Sequence, residues 1–161
     1  MLVTFFYLLF QILSARTVDA AGSEIAFEAQ SRLAAARGVF RQWSFQGSVD
    51  AEKSAGEIRI SVCSLDTGNG MRDNHLRGPD FLDCSKFPEA VFRLDRVKGR
   101  QVSGILTLKG VPKPVACEAD ESAGLIRGRC VLDRRDFGIS YQSALNPISH
   151  NVTVVFALRV R

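Results

Sequence analysis

The sequence predicts an all-β domain of about eight antiparallel strands, and three observations carry that prediction. From Ala21 onward apolar residues recur with a period of two, the mark of strands with one face buried and one wet. Turn-forming clusters separate the alternating runs, and helical periodicity is confined to two short pieces. The length of 161 residues, with 46% hydrophobic and 24% charged, suits one globular domain. A kinase, a TIM barrel or a two-domain dehydrogenase does not fit. The formal charge of +4 is small, and no Arg or Lys run exceeds Arg134-Arg135, so nucleic acid is not an indicated partner.

The first element stands apart. Leu2 to Leu13 is nearly continuous apolar and too short to cross about 30 Å of hydrocarbon as a helix. Small residues follow, and Val18-Asp19-Ala20 has the small-x-small pattern of a processing site. Residues 1–20 therefore read as a signal peptide cut before Ala21, leaving 21–161 as the exported domain. A buried N-terminal helix is the competing reading. No Cys ends the apolar run, so a lipoprotein anchor is not indicated.

In the remaining chain Ile25, Phe27 and Ala29 alternate with Glu24, Glu28 and Gln30. The same rhythm gives Trp43 to Val49, Ile58 to Val62, Ala90 to Leu94, Val102 to Leu108, Val115 to Ala119, Ile126 to Leu132 and Val152 to Val160. Turns are expected at Asp50 to Gly56 and at Val111-Pro112-Lys113-Pro114, and short helical pieces at Leu33 to Arg37 and within Asn69 to Arg77. Eight such strands hide their apolar faces as a sandwich or as a closed barrel, and the barrel also removes both sheet edges.

One hairpin is legible in detail. With Ala123-Gly124 as a two-residue turn, Ser122 faces Leu125, Glu121 faces Ile126, Asp120 faces Arg127 and Cys117 faces Cys130. Side chains of a directly opposed pair point to one face at disulfide reach, so Cys117 is expected to bond Cys130. Cys63 and Cys84 then pair by elimination. An even number of cysteines suits an oxidising compartment, and the absence of Cys-x-x-Cys argues against structural zinc.

The densest chemistry lies in Ser64-Leu65-Asp66-Thr67-Gly68-Asn69-Gly70-Met71-Arg72-Asp73-Asn74-His75-Leu76, then Asp80-Phe81-Leu82-Asp83 and Lys86-Phe87-Pro88. This block resembles the YceI family of bacterial polyisoprenoid-binding, lipocalin-like proteins. So does Gly104-Ile105-Leu106-Thr107-Leu108-Lys109-Gly110-Val111-Pro112-Lys113-Pro114-Val115, which is similar to a G-x-L-T-x-x-G-V-x-K-P-V segment. Arg135-Asp136-Phe137-Gly138-Ile139 resembles a late R-x-D-F-G-I element, one residue shorter. The likeness covers about residues 24 to 160. The four cysteines depart from the family pattern.

The resemblance implies an eight-stranded antiparallel lipocalin-like barrel with a short helical insertion. It also implies a periplasmic or secreted protein that holds a polyisoprenoid chain, an isoprenoid quinone or a similar long amphiphile inside. Transient membrane contact and a monomer or homodimer go with that role, and no catalytic cofactor or metal does. Alternation turns Phe27, Phe45, Phe92, Leu106, Leu108, Phe137 and Phe156 inward as the ligand lining. Gly47, Gly104 and Gly128 share that phase, leaving interior volume unfilled or marking a bulge or barrel corner.

Arg72, Asp73 and His75 are candidates for head-group contact or for pinning the short helix, with Asn69 or Thr67 accepting backbone bonds at its start. Arg127, Arg129 and Arg134 are expected on the outer surface, for solubility or for steering to anionic head groups. Two other functions compete: an enzyme in which Asp73 orients His75 as a base, and an exported interaction protein with a filled barrel and no ligand. Asp136-Phe137-Gly138 copies a kinase triplet, but the glycine-rich loop, the strand lysine and the length are missing.

Overall fold

The computed structural model of the chain describes residues 15–50 and 54–161; the apolar run Leu2 to Leu13 lies outside the described residues. Ten strands and one helix follow in the order β1 (Val18–Ser31), β2 (Ala35–Phe40), β3 (Trp43–Ser48), β4 (Ala55–Ser61), β5 (Leu65–Asp66), α1 (Gly70–Arg77), β6 (Glu89–Lys98), β7 (Gln101–Leu108), β8 (Val111–Ser122), β9 (Leu125–Asp133) and β10 (Ile148–Val160). All join one antiparallel sheet in the order β3-β4-β6-β7-β8-β9-β10-β1-β2-β5.

The sheet curls into a half-barrel that brings β3 near β1. Strand β3 follows β2 after only Arg41 and Gln42, and β5 follows β4 after a 3-10 turn at Val62–Ser64. A backbone bond from Val49 N to Arg16 O (2.9 Å) links the end of β3 to the chain entering β1, while Arg41 N to Ser64 O (3.1 Å) extends the β2–β5 pairing and Ser61 N to Gln42 O (3.0 Å) the β3–β4 pairing.

Ten strands replace the expected eight, and the two additions have separate causes. The Ala35-Ala36-Arg37 stretch reads as helix because alanine favours it, but pairing of Ala35 to Val39 with Gln30 to Ala26 of β1 overrides that weak preference. Strand β5 is too short to show a period and exists through its pairs with Val39 and Phe40.

The expected turn at Val111 to Pro114 is also corrected. The turn is Lys109-Gly110, with φ of 52° and 74°, and Pro112 and Pro114 lie in β8 opposite Thr107 and Ile105. Proline is tolerated because β9 pairs with β8 only from Cys117 onward, so no ladder donor is needed on that edge.

The hairpin register agrees with expectation at every named pair, from Ser122 opposite Leu125 to Cys117 opposite Cys130. Cys117 and Cys130 lie at disulfide distance, with Sγ atoms 1.98 Å apart, as do Cys63 and Cys84 at 2.03 Å. The second pair ties the Val62–Ser64 turn to the loop after α1, beside buried Val62 and Ala90. Further clusters form round Val18, Ile25 and Leu158, and round Val115, Cys117 and Cys130. Among the described residues no helix is long and apolar enough to cross a membrane.

Candidate functional site

Inside the curled sheet lies a cavity of about 970 Å³, lined mainly by apolar side chains. It runs the length of the strands. At one end stand Arg16, Asp50, Asp120 and Glu121, beside the start of β1 and the β8–β9 turn. At the other stand Arg72, His75, Arg134 and Tyr141, round α1 and the chain that follows β9. Phe27, Phe45, Phe92, Leu106, Leu108 and Phe156 line the space between from the strands, as alternation expects; Phe137 lines it too, but from the 3-10 turn Arg134–Phe137 and not by strand phase.

The inward glycines divide. Gly104 and Gly128 do not leave unfilled volume, because Phe92 and Phe156 rings lie against them. Gly47 has φ of 135°, and a Cβ there would meet Ala55 O at 2.1 Å, so it serves a close backbone approach and not the interior.

The Thr67 to Asp80 block builds one end wall. Asn69 caps α1, its Oδ1 accepting from Arg72 N at 3.0 Å. Thr67 does not cap; it is the knot of the block. Its backbone N and Oγ1 donate to Asp73 Oδ1 at 2.9 and 2.6 Å, while its Oγ1 and O accept from Arg72 Nε and Nη2 at 2.9 and 3.0 Å. Asp73 is buried, and both bonds it accepts fall on Oδ1.

His75 points elsewhere. Its Nε2 lies 3.2 Å from Asp80 Oδ2, and its ring meets Phe81 and Tyr141 edge-on, each with centroids 4.9 Å apart. The Asp73–His75 couple required for a carboxylate-oriented base is therefore not formed. Asp66 beside the block accepts from Gly68 N and from Arg41, which hold its carboxyl below the ordinary range.

Arg134 overturns its expected place on the surface, where Arg127 and Arg129 do sit. It is 5% exposed and borders the cavity. Nε donates to Ser149 O at 2.9 Å, Nη1 to Ile139 O at 2.7 Å and Nη2 to Ile148 O at 3.4 Å. Burial pulls its pKa down, the cost of desolvating a cation held by carbonyl dipoles. Its neighbour Arg135 is the exposed one and forks onto Asp133, drawing that carboxyl from 3.8 to about 2. The signal that finds Arg134 is the late element counted at full length: Arg134-Arg135-Asp136-Phe137-Gly138-Ile139 fits R-x-D-F-G-I with no residue missing.

Three carboxylates line the cavity, Asp50, Asp120 and Glu121, and all lie at the first end, where Glu121 pairs with Arg16. Arg72 and Arg134 at the second end donate only to backbone and hydroxyl oxygens among the described residues. The cavity is thus apolar along its length; at the carboxylate mouth Glu121 pairs with Arg16 and Asp120 with Arg100, whereas Arg72 and Arg134 at the other mouth have no carboxylate partner among the described residues. Among the described residues no group of three His, Cys, Asp or Glu side chains is placed to hold a metal ion.

Solved structures share this architecture. BcnA of Burkholderia cenocepacia superposes with a TM-score of 0.74 over 90% of this chain and 99% of its own, at 23% identity. A polyisoprenoid binding domain from Saccharophagus degradans, implicated in plant cell wall breakdown, gives 0.67 over 91% and 98%, at 20% identity. Among curated sequences, a UPF0312 protein of Pseudomonas aeruginosa strain LESB58 is 36% identical over 116 residues, 63% of this chain and 60% of the relative. The chain thus spans less than two thirds of that relative's length. A UPF0312 protein of Enterobacter sp. strain 638 is 31% identical over 144 residues, covering 75% and 71%. The family model described as YceI-like domain matches residues 17–160. The chain belongs to the YceI-like domain family.

Proposed function

We propose that the protein is an exported carrier that holds a polyisoprenoid chain, an isoprenoid quinone or a related long amphiphile in its cavity and performs no catalysis. The continuous apolar cavity of about 970 Å³ is the observation that carries this reading. The likeness in fold to a polyisoprenoid binding domain supports it. Phe27, Phe45, Phe92, Leu106, Leu108, Phe137 and Phe156 are the tail-binding residues. The polar head lies at the Arg72, His75, Arg134 and Tyr141 end, because an oxygen-rich head is drawn to cations that no carboxylate pairs. Asp73 pins α1 and makes no head contact. Two disulfides suit a periplasmic or secreted protein.

Energetics decide what kind of binder this is. Moving a prenyl tail from water into an apolar tunnel is worth roughly 0.8 kcal/mol per carbon, which for a long tail passes the ceiling of non-covalent affinity. Water is therefore the wrong reference. In exchange with a bilayer the hydrophobic term nearly cancels, so shape and head contacts set the balance. Such a protein carries its lipid and does not trap it. Leu33 and Leu145, 75% and 86% exposed at the Arg72 and Arg134 end, sit on loops joined by Leu33 N to Asn146 Oδ1 at 3.1 Å and support bilayer contact there.

Native mass spectrometry of protein from its own host, followed by solvent extraction, tests the reading. A non-covalent adduct that extracts as a long-chain isoprenoid is expected. Protein that carries none and takes none from vesicles refutes it.

A further inference from the structure

Inward phenylalanines pose a packing problem for a narrow tunnel. A barrel of about eight strands encloses just enough room for its own side chains, and this sheet of ten, with β5 only two residues long, is little larger; a strand side chain stands roughly perpendicular to its sheet. Phe27, Phe45, Phe92 and Phe156 all face the cavity, yet it stays open.

The reason lies one strand away from each ring. A Cβ placed on Gly38 would come within 2.5 Å of Phe27 Cε1, and one on Gly56 within 2.5 Å of Phe45 Cε2. On Gly104 it would meet Phe92 Cζ at 2.5 Å, and on Gly128 it would meet Phe156 Cζ at 2.3 Å. The atoms met are those at the far edge of the ring. Each ring therefore lies along the wall, its tip over the bare Cα of a neighbouring strand. Phe27 and Phe156 sit directly opposite Gly38 and Gly128. Phe45 and Phe92 face Ile58 and Leu106 and lean diagonally onto Gly56 and Gly104. The pairs occupy four separate strand pairings, β1–β2, β3–β4, β6–β7 and β9–β10. Glycine inside a strand weakens it, so four of them under four lumen-facing rings call for a reason.

We propose that Gly38, Gly56, Gly104 and Gly128 are specificity-determining positions: by seating four phenyl rings against the wall they hold the bore wide enough for a methyl-branched isoprenoid chain. This rests on the carrier reading above. A methyl added to the wall lifts the ring by about the depth that a methyl branch adds to the guest, so the two compete for one layer of space. A linear chain lacks that layer and is insensitive to its loss.

Gly38→Ala and Gly56→Ala are the clean variants. The three atoms nearest a Cβ at Gly38 are all side-chain atoms, of Phe27 and Thr67, and at Gly56 the first backbone atom is Gln46 O at 3.2 Å. At Gly104 and Gly128 the same methyl would strike Arg93 O at 2.3 Å or Glu118 O at 2.6 Å and strain the backbone. Binding of all-trans geranylgeraniol and of hexadecan-1-ol, equal in main-chain length, is measured by titration calorimetry on the full disulfide-bonded protein. Each alanine variant is expected to bind geranylgeraniol about tenfold more weakly and hexadecanol nearly unchanged. Adding Phe27→Leu to the first variant and Phe45→Leu to the second should restore the branched alcohol.

Unchanged or equal losses for both alcohols, in variants that melt like the wild type, overturn the assignment and leave the carrier reading standing. If an alanine variant does not fold, Phe27→Leu and Phe45→Leu alone carry the test. Both substitutions remove tail contacts from either guest, so the widened bore should weaken hexadecanol clearly more than geranylgeraniol, and a matched loss of both overturns the assignment. A wild-type protein that binds neither alcohol refutes the carrier reading and the bore assignment together.

Discussion

Ala123 holds a φ of 52° ahead of Gly124 at 70°, the pair of left-handed residues that a two-residue hairpin turn demands. A Cβ is unfavourable there, and the sequence tolerates it because the β8–β9 ladder and the Cys117–Cys130 pair fix the register from both sides. Ala123→Asn or Ala123→Gly is expected to stabilise the protein by about 0.5–1 kcal/mol in urea denaturation. Asp133 makes the second residue-scale prediction. Arg135 bonds lower its carboxyl from 3.8 to about 2 in the folded chain. A depressed carboxyl stabilises the fold above its unfolded pKa, and that contribution fades as pH falls from about 4 to about 2. Asp133→Asn should lower stability at neutral pH and flatten the acid limb in that window, as followed by melting temperature against pH. An acid limb identical to that of the wild type contradicts it.

Elements were legible where their causes are local. The Ser122 to Leu125 hairpin follows from one turn and a period of two, and α1 over Gly70–Arg77 follows from the Asn69 cap. Strand β2 was not legible, because its alanines carry no strand signal and only β1 beside it decides the matter. Nor were the Phe–Gly seats, which need cross-strand register, or the burial of Arg134, which the late motif marks as a residue but which depends on the Ile148 and Ser149 carbonyls reached through the chain reversal. The start of β1 bears on processing. Val18 is buried and pairs with Val160, Thr17 and Arg161 exchange backbone bonds at 2.9 and 3.0 Å, and Asp19 O accepts from Ser23 Oγ, whose oxygen accepts in turn from Arg159 N. A cut before Ala21 would strip this pairing from the end of β10 and expose Leu158 and its neighbours. N-terminal sequencing of the exported protein is therefore expected to begin at or before Arg16, and a start at Ala21 would show that β10 holds without it.

At the scale of the whole molecule, the cavity is open because its largest lining groups are spread over the wall, and its two mouths differ because arginines pair Glu121 and Asp120 at one while Arg72 and Arg134 have no carboxylate partner among the described residues at the other. The proposed carrier role needs a third property, a way to meet the bilayer that would hold its guest. Leu33 and Leu145 are exposed beside the Arg72 and Arg134 mouth, and Arg32 precedes Leu33 on the same exposed loop. Leucines that insert only during loading stabilise the docked encounter and leave the loaded and empty states alike. Leu33→Ser with Leu145→Ser is therefore expected to slow uptake of a fluorescent isoprenoid from anionic vesicles about tenfold, since burying two leucines is worth about 1.5–3 kcal/mol each when complete and contributes less at a shallow interface. Its equilibrium occupancy should stay within a factor of two of the wild type, because the tail-binding wall is untouched. An equal fall in rate and occupancy would place these leucines in the binding site instead. An unchanged rate would move the loading mouth to the carboxylate end, where Arg16 and Glu121 would have to part to admit the chain.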